Sequence, residues 1–377
     1  MNLYEQGYRM PAEFEPHEGT WLAWPHNPET WPGRLKFIPP IWIQMIKPLH
    51  VAETVHLCVN DAETEAQILP ILKRHDIGRN VVIHQIPTND AWARDHGPIF
   101  LTKDSPSPNP LPSREGEKKA SLMEGKNFNF PSPGGRGQGE GELLATDWIF
   151  NSWGKKYGPW DLDDVVPQKV AQALKVRCVE PGIVLEGGSI DVNGQGTLLT
   201  TEQCLLNKNR NPHLKKEEIE QYLKDYLGVS HILWLGEGIV GDDTDGHIDD
   251  IVRFVNPTTV ITAVEEDSGD ENYKPLQDNL KRLQSMKDQN GRPLDVIEFP
   301  MPGPISYDSQ RLPASYANFY IGNGVVLAPI FGHKNDEKAL AILKKVFPTR
   351  RIVGINCVEM VWGLGAIHCV TQQQPKV

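Results

Sequence analysis

Basic residues are scarce in this 377-residue chain: 38 Lys and Arg stand against 49 Asp and Glu, a formal net charge of -11. Binding to nucleic acid rests on Lys and Arg that neutralise phosphates, so nucleic acid is not an expected partner. Long apolar runs are also missing. None approaches the roughly 20 residues that span a bilayer, and the polar stretch 1–10, with Glu5 and Arg9, leads into no apolar signal region. The expectation is a cytoplasmic protein with no membrane association. Cysteines number five, at 58, 178, 204, 357 and 369, with no CxxC pair among them. That spacing supports neither a zinc knuckle nor a disulfide framework, and the odd count fits reduced thiols.

Turn formers are plentiful instead. The 33 Gly and 31 Pro favour many short elements over a helical bundle. One segment departs from globular composition: Pro, Gly and Ser make up 18 of the 40 residues from Asp104 to Leu143. It has too little apolar surface to offset its ordering entropy. Strand-like sequence on both sides (Gly97 to Leu101, Ala145 to Asn151) makes it a disordered loop inserted between two hairpin strands, with an interdomain linker as the other reading.

Repeats are the next signal. Ser189 to Thr200 (SIDVNGQGTLLT) and Phe319 to Pro329 (FYIGNGVVLAP) share a plan of strand, Asn-Gly turn and strand, and Ile251 to Ala263 follows it with Asn-Pro at the turn. Apolar spacing then predicts a helix over Asn335 to Phe347 and a strand over Arg351 to Ile355, completing a ββαβ unit. Earlier, Thr54 to Val59 and Asn80 to His84 read as strands around a helix running from Asp61 to about Arg74, while Trp21 to Trp24 and Gly97 to Leu101 read as members of the first two hairpins. Five modules of unequal size result. The pattern suggests an α/β propeller with a site on its axis, a doubly wound sheet being the alternative.

Four clusters carry chemistry. Gly241 to Asp250 (GDDTDGHIDD) concentrates acid before the strand that begins at Ile251. If His247 to Ile251 is extended, His247 and Asp249 share a face. An EF-hand loop is excluded, because Gly241 and Val252 would fall at ligand positions; a solvated acidic turn remains open. In Asn89 to Pro98 (NDAWARDHGP), Trp92 and Asp95 together suit a planar guanidinium, the ring face attracting the cation and the carboxylate accepting its paired N–H groups. An Arg94–Asp95 ion pair beside a core Trp92 is the bland reading. Glu186-Gly187-Gly188-Ser189 offers a carboxylate and a close backbone approach, or only a turn. Finally, Cys58, Cys178 and Cys357 sit in apolar strand-like runs and Cys204 in a mixed one, whereas Cys369 follows a glycine-bearing turn beside His368. It is a candidate nucleophile if a neighbour favours its thiolate, and a structural cysteine otherwise.

Taken in order, MPAEFEPHEGTWLAWP, WARDHGP, EGGSIDVNGQGTLLTTEQCLLNKNRNP, GDDTDGHIDD, GNGVVLAP and IHCVTQQQP cover nearly the whole chain outside the insert. In them the sequence resembles the agmatine deiminases and, more distantly, the bacterial peptidylarginine deiminases of the pentein superfamily. The resemblance implies a single catalytic domain over residues 1–377 with the 104–143 insert loop within it, an α/β fold of five ββαβ modules with pseudo-fivefold symmetry, and no metal or cofactor. It implies Cys369 as nucleophile, His247 as general acid and base, Asp95 and Asp249 as carboxylates that fork onto the guanidinium, and Trp92 packed beside it. Glu186 and Asp243 become candidates for the substrate's far ammonium. The implied reaction is hydrolysis of agmatine to N-carbamoylputrescine and ammonia through an amidino-cysteine, on the way to putrescine. Arginine or peptidyl-arginine deimination is the alternative within the fold, and homo-oligomerisation stays open. The family's nucleophile motif runs Gly-Gly-Gly-Asn-Ile-His-Cys, whereas Leu364 and Ala366 stand here for a glycine and the asparagine; that departure bears on the pocket. Rivals from other classes are a silent guanidino-binding protein, which would not need Cys369 and His247, and a metal-dependent hydrolase built on the cluster around His247.

Overall fold

The computed structural model of the protein describes residues 2–103 and 141–377. The insert expected from Asp104 lies outside the described residues up to residue 140. Its far edge differs from the expectation, because Glu142 and Leu143 already belong to strand Glu142–Thr146, which pairs antiparallel with Ile99–Lys103. The strand placed at Ala145 to Asn151 therefore begins and ends earlier.

Mixed α/β architecture is organised as five sheets of one plan. In four of them an antiparallel pair is followed, after a helix, by a third strand parallel to the second. These are Ile99–Lys103, Glu142–Thr146 and Arg177–Val179; Asp191–Val192, Thr197–Thr201 and His231–Leu235; Val252–Asn256, Thr259–Val264 and Asp295–Pro300; and Tyr320–Ile321, Val325–Ile330 and Arg351–Asn356. Each sheet is open, and among the described residues none closes on itself. A small sixth pair, Ser306–Tyr307 with Gln310–Arg311, stands apart.

The sheet nearest the N-terminus breaks the local pattern. Strand His17–Ala23 runs parallel to Thr54–Val59, and its antiparallel partner is Gln372–Pro375 from the other end of the chain. Trp21 therefore has no hairpin partner close in sequence; its indole N–H donates to Gln374 at 2.9 Å.

Crossover helices form where apolar spacing and end signals agree. In Lys216–Leu227 the buried residues Ile219, Leu223 and Leu227 recur every fourth position, and Gly228 ends the helix at φ +67°. A side chain at Gly228 would meet the Tyr8 carbonyl at 2.2 Å. Helix Ala62–Arg74 starts where the Asp61 carboxylate accepts from Thr64 N. Helix Asp336–Val346 buries Ala339 and Leu343 over its strand pair. No helix among the described residues is long and apolar enough to cross a membrane.

Candidate active site

Polar residues gather where the chain enters the first strand of each hairpin. Asp95 precedes Ile99, Gly188 precedes Asp191, Asp249 precedes Val252, Asn318 precedes Tyr320 and Cys369 precedes Gln372. The entrances converge: Asp95 and Cys369 line one cavity of about 490 Å³, and Gly188, Asn318 and Asp249 contact them without lining it.

Trp92 caps the short helix Ala93–His96, which presents Asp95. Asp95 Oδ1 accepts from the backbone N of Gly188 and Oδ2 from the indole of Trp153, each at 2.9 Å. Trp153 takes a left-handed φ of +53°, in a turn held by the Asn151 side chain. Burial pushes the Asp95 carboxyl up to about 6; the His247 charge opposes this, and Asp249 and Glu186 add to it. The Arg94–Asp95 pair does not form. Arg94 instead reaches Glu13 at 3.0 Å and Gln373 at 2.7 Å.

His247 and Asp249 are not on an extended strand. Ile248–Asp250 is a 3₁₀ turn, wound because Asp242 Oδ2 accepts from the N–H groups of both Gly246 and His247 and Gly246 takes φ +85°. Both side chains still pack against Asp95 and Cys369, but they are buried and neither lines the cavity. His247 Nδ1 lies 3.7 Å from Asp95 Oδ1, and neither ring nitrogen has a hydrogen-bond partner. Burial alone would drive His247 toward neutrality, but Asp95, the Cys204 sulfur and Glu186 outweigh it and hold the ring's pKa well above the usual histidine value. Asp249 is fully buried. Its Oδ2 accepts from His368 Nδ1 at 2.7 Å, while its Oδ1 is unpartnered. Burial disfavours its charge, yet His368, His247 and Arg253 hold it below the usual carboxylate range.

Gly188 makes this crowding feasible. A Cβ there would lie 2.6 Å from His247 Nδ1 and 2.7 Å from Asp95 Oδ1, and one at Gly187 would lie 2.2 Å from the Arg94 carbonyl. Cys369 lies in the 3₁₀ turn His368–Val370 and lines the cavity. Its Sγ is 3.1 Å from Asn318 Nδ2 and 3.9 Å from Asp249 Oδ2. Burial and then the charges of Asp249, Asp250 and Asp95 push the thiol well above its usual pKa, which disfavours the thiolate. Leu364, where the related motif has glycine, takes φ +68°, a backbone conformation that favours glycine, and its side chain lines the same cavity.

Trp92 lines the cavity, its ring centroid 5.6 Å from that of Trp31. Asp243 also lines it, accepting from the Tyr157 hydroxyl and lying 3.9 Å from Lys156 Nζ. Glu186 does not. It is fully buried behind His247, and its Oε1 takes the Arg210 Nε at 2.6 Å. Asp90 and Asp163, which sequence reasoning passed over, both contribute to the wall. So was Asn318, although its place before a hairpin strand matches that of Asp95 and Asp249 and could have revealed it. Among the described residues the group best arranged for a metal is Glu186, Cys204 and His247, with donor atoms within 4.8 Å of one another. One of its carboxylate oxygens is already taken by Arg210.

Asp95 and Cys369 on the wall of an acidic cleft, backed by the buried His247 and Asp249, bring a thiol, an imidazole and two carboxylates together on an α/β scaffold, an arrangement suited to a hydrolase for cationic substrates. The chain belongs to the Porphyromonas-type peptidyl-arginine deiminase family, whose model matches residues 9–375. It is 38% identical over 393 residues to the agmatine deiminase of Ectopseudomonas mendocina, a match covering 98% of this chain and 96% of that protein. The solved agmatine deiminase of Enterococcus faecalis superposes with a TM-score of 0.85 at 35% identity, over 100% of this chain and 98% of that one. A cysteine-to-serine variant of the C. jejuni agmatine deiminase with substrate bound superposes with a TM-score of 0.80 at 30% identity, over 98% and 96% of the two chains.

Proposed function

We propose that this protein hydrolyses agmatine to N-carbamoylputrescine and ammonia. One observation carries the choice of substrate. The cavity wall holds the carboxylates of Glu29, Asp90, Asp95, Asp163 and Asp243 and, among the described residues, no Lys or Arg. Agmatine is a guanidinium and an ammonium joined by four methylenes, with no carboxylate to accommodate. Free arginine would bring an anion to this wall, where Lys156, beside Asp243, is already engaged by Asp245 at 2.8 Å. The relatives named agmatine deiminase support the same reading.

The guanidinium enters between Asp95 and Asp249, with its planar N–H groups directed at carboxylate oxygens and one face toward Trp92. Its positive charge offsets the carboxylates that keep the Cys369 thiol neutral, and the thiol proton passes to solvent. The thiolate attacks the guanidinium carbon and forms a C–S bond. The tetrahedral adduct then collapses, and the departing nitrogen leaves as ammonia with a proton from His247. Water gives a proton to His247 and attacks the amidino-cysteine, and the C–S bond then breaks as the adduct's hydroxyl proton passes to the departing sulfur, returning the Cys369 thiol and the ureido product. Holding His247 charged and Cys369 neutral before substrate arrives fits that order of events.

We further read the five sheets as blades of a pseudo-fivefold propeller and the whole chain as one catalytic unit with the insert attached; the convergence of five hairpin entrances supports both. The test is incubation with agmatine, free arginine and an arginine-containing peptide, measuring ammonia and ureido product beside Cys369→Ala. Release from agmatine alone, abolished in the variant, is expected. Release from arginine or the peptide would reassign the substrate, and no release from any would refute the activity.

A further inference from the structure

His368 is buried next to the nucleophile, yet the steps above leave it idle. Its Nδ1 lies 2.7 Å from Asp249 Oδ2 and its Nε2 2.8 Å from Glu13 Oε2. Glu13 is saturated with donors: Oε2 also takes Arg94 Nη2 at 3.0 Å, and Oε1 takes Arg253 Nη2 at 2.8 Å and the Ile321 N–H at 2.8 Å. A carboxylate accepting four donors is ionised and gives no proton back. Asp249 is ionised as well, since His368, His247 and Arg253 favour its charge. Each ring nitrogen is placed against one carboxylate, so both are positioned to donate. The other charged neighbours are Arg94, whose Nε approaches the His368 carbonyl at 3.4 Å, and Arg253, which is anchored on Asp191 at 2.7 Å.

We propose that His368 is a positioning residue, an imidazolium that clamps the Asp249 carboxylate between the buried Glu13 anchor and the incoming guanidinium. The clamp occupies Oδ2 and fixes the carboxylate plane, leaving the buried Oδ1 as the acceptor for a substrate N–H. It also supplies a positive charge that keeps Asp249 ionised where burial would protonate it. The proposal rests on the deimination reading for its kinetic arm and is independent of it for its spectroscopic arm.

Two substitutions separate the roles. In His368→Asn the shorter amide can still donate toward Asp249 but carries no charge and falls short of Glu13. In His368→Gln the longer amide reaches toward Glu13 and abandons Asp249. With agmatine, His368→Gln is expected to lose at least about 100-fold in kcat/KM and His368→Asn about 10-fold, the range seen when a supporting hydrogen bond to a functional ligand is removed. In His368→Asn the acid limb of kcat/KM, set by Asp95 in wild type, is expected to steepen and move to higher pH as Asp249, without the neighbouring cation, adds a second protonation to it. Equal losses in the two variants with an unmoved acid limb would overturn the proposal. The second arm needs no turnover: in wild-type protein labelled with 15N-histidine, both His368 ring nitrogens should show protonated chemical shifts at neutral pH, the signal being assigned by its loss in His368→Asn. An unprotonated nitrogen there would overturn the clamp. If wild type fails to turn over agmatine, the deimination reading falls while the nitrogen shifts still decide the clamp.

Discussion

Asp249→Asn should make the enzyme worse at its reaction and its nucleophile easier to alkylate. Asp249 Oδ2 stands 3.9 Å from Cys369 Sγ. Two unit charges at that distance interact by about 4 kcal/mol at an effective dielectric of about 20. Removing the carboxylate charge therefore raises the thiolate population by a factor of about 1,000. A less basic thiolate is a weaker nucleophile, with a Brønsted coefficient of about 0.4–0.5, so roughly half of that gain in the logarithm is lost. The net expectation is alkylation about 30-fold faster, read with iodoacetamide, which is neutral and has no preference for the acidic cleft. The rate is followed at pH 8 by mass spectrometry of the Cys369 peptide, which separates it from the half-buried Cys178. Agmatine turnover in the same protein should fall at least about 100-fold, because the guanidinium loses a preorganised charged partner. An Asp249→Asn protein alkylated no faster than wild type would refute the account of how the thiol is kept neutral.

The Asp95 carboxyl, raised to about 6, must be ionised to receive the guanidinium, so kcat/KM for agmatine should fall as pH drops through about 6, measured as a pH–rate profile of the free enzyme. A flat profile from pH 5 to 7 would contradict this. Asp243→Asn is expected to raise KM about 10-fold with kcat little changed, whereas Glu186→Gln should cost about 1.5–3 kcal/mol of stability by removing one of the two carboxylates on the buried Arg210, which keeps Asp245 at 2.7 Å. Steady-state kinetics and denaturant unfolding distinguish the two. Leu364→Gly relieves a left-handed backbone that costs a non-glycine residue about 1–2 kcal/mol; we expect an unfolding midpoint no lower than wild type and improved kcat/KM for guanidines bulkier than agmatine. A midpoint several degrees lower would show that Leu364 packing outweighs its strain.

What could be read in advance follows from how far apart the interacting residues lie. The Asn-Gly hairpin Ser189 to Thr200 and the helix from Asp61 are local, fixed by turn chemistry and a cap within a few residues, and both stand nearly where expected. The partner of Trp21 is not local. Its strand pairs with Gln372–Pro375, and no periodicity in either segment encodes that choice. His247 and Asp249 were assigned a shared face by alternation, but the Asp242 side chain winds the backbone instead. They come together because three-dimensional convergence brings them there, and motif resemblance anticipated the grouping. Arg94 could not be placed from sequence, since its partners Glu13 and Gln373 come from opposite ends of the chain. Glu186 had the composition of a substrate ligand and the surroundings of a structural anion, and only burial against Arg210 separates those.

Because strand Gln372–Pro375 pairs with His17–Ala23, Cys369, the proposed nucleophile, is held three residues before a seam that joins distant parts of the chain. On the proposed mechanism, turnover then depends on that pairing, since unzipping the strand would carry the Cys369 sulfur away from Asn318 and Asp249.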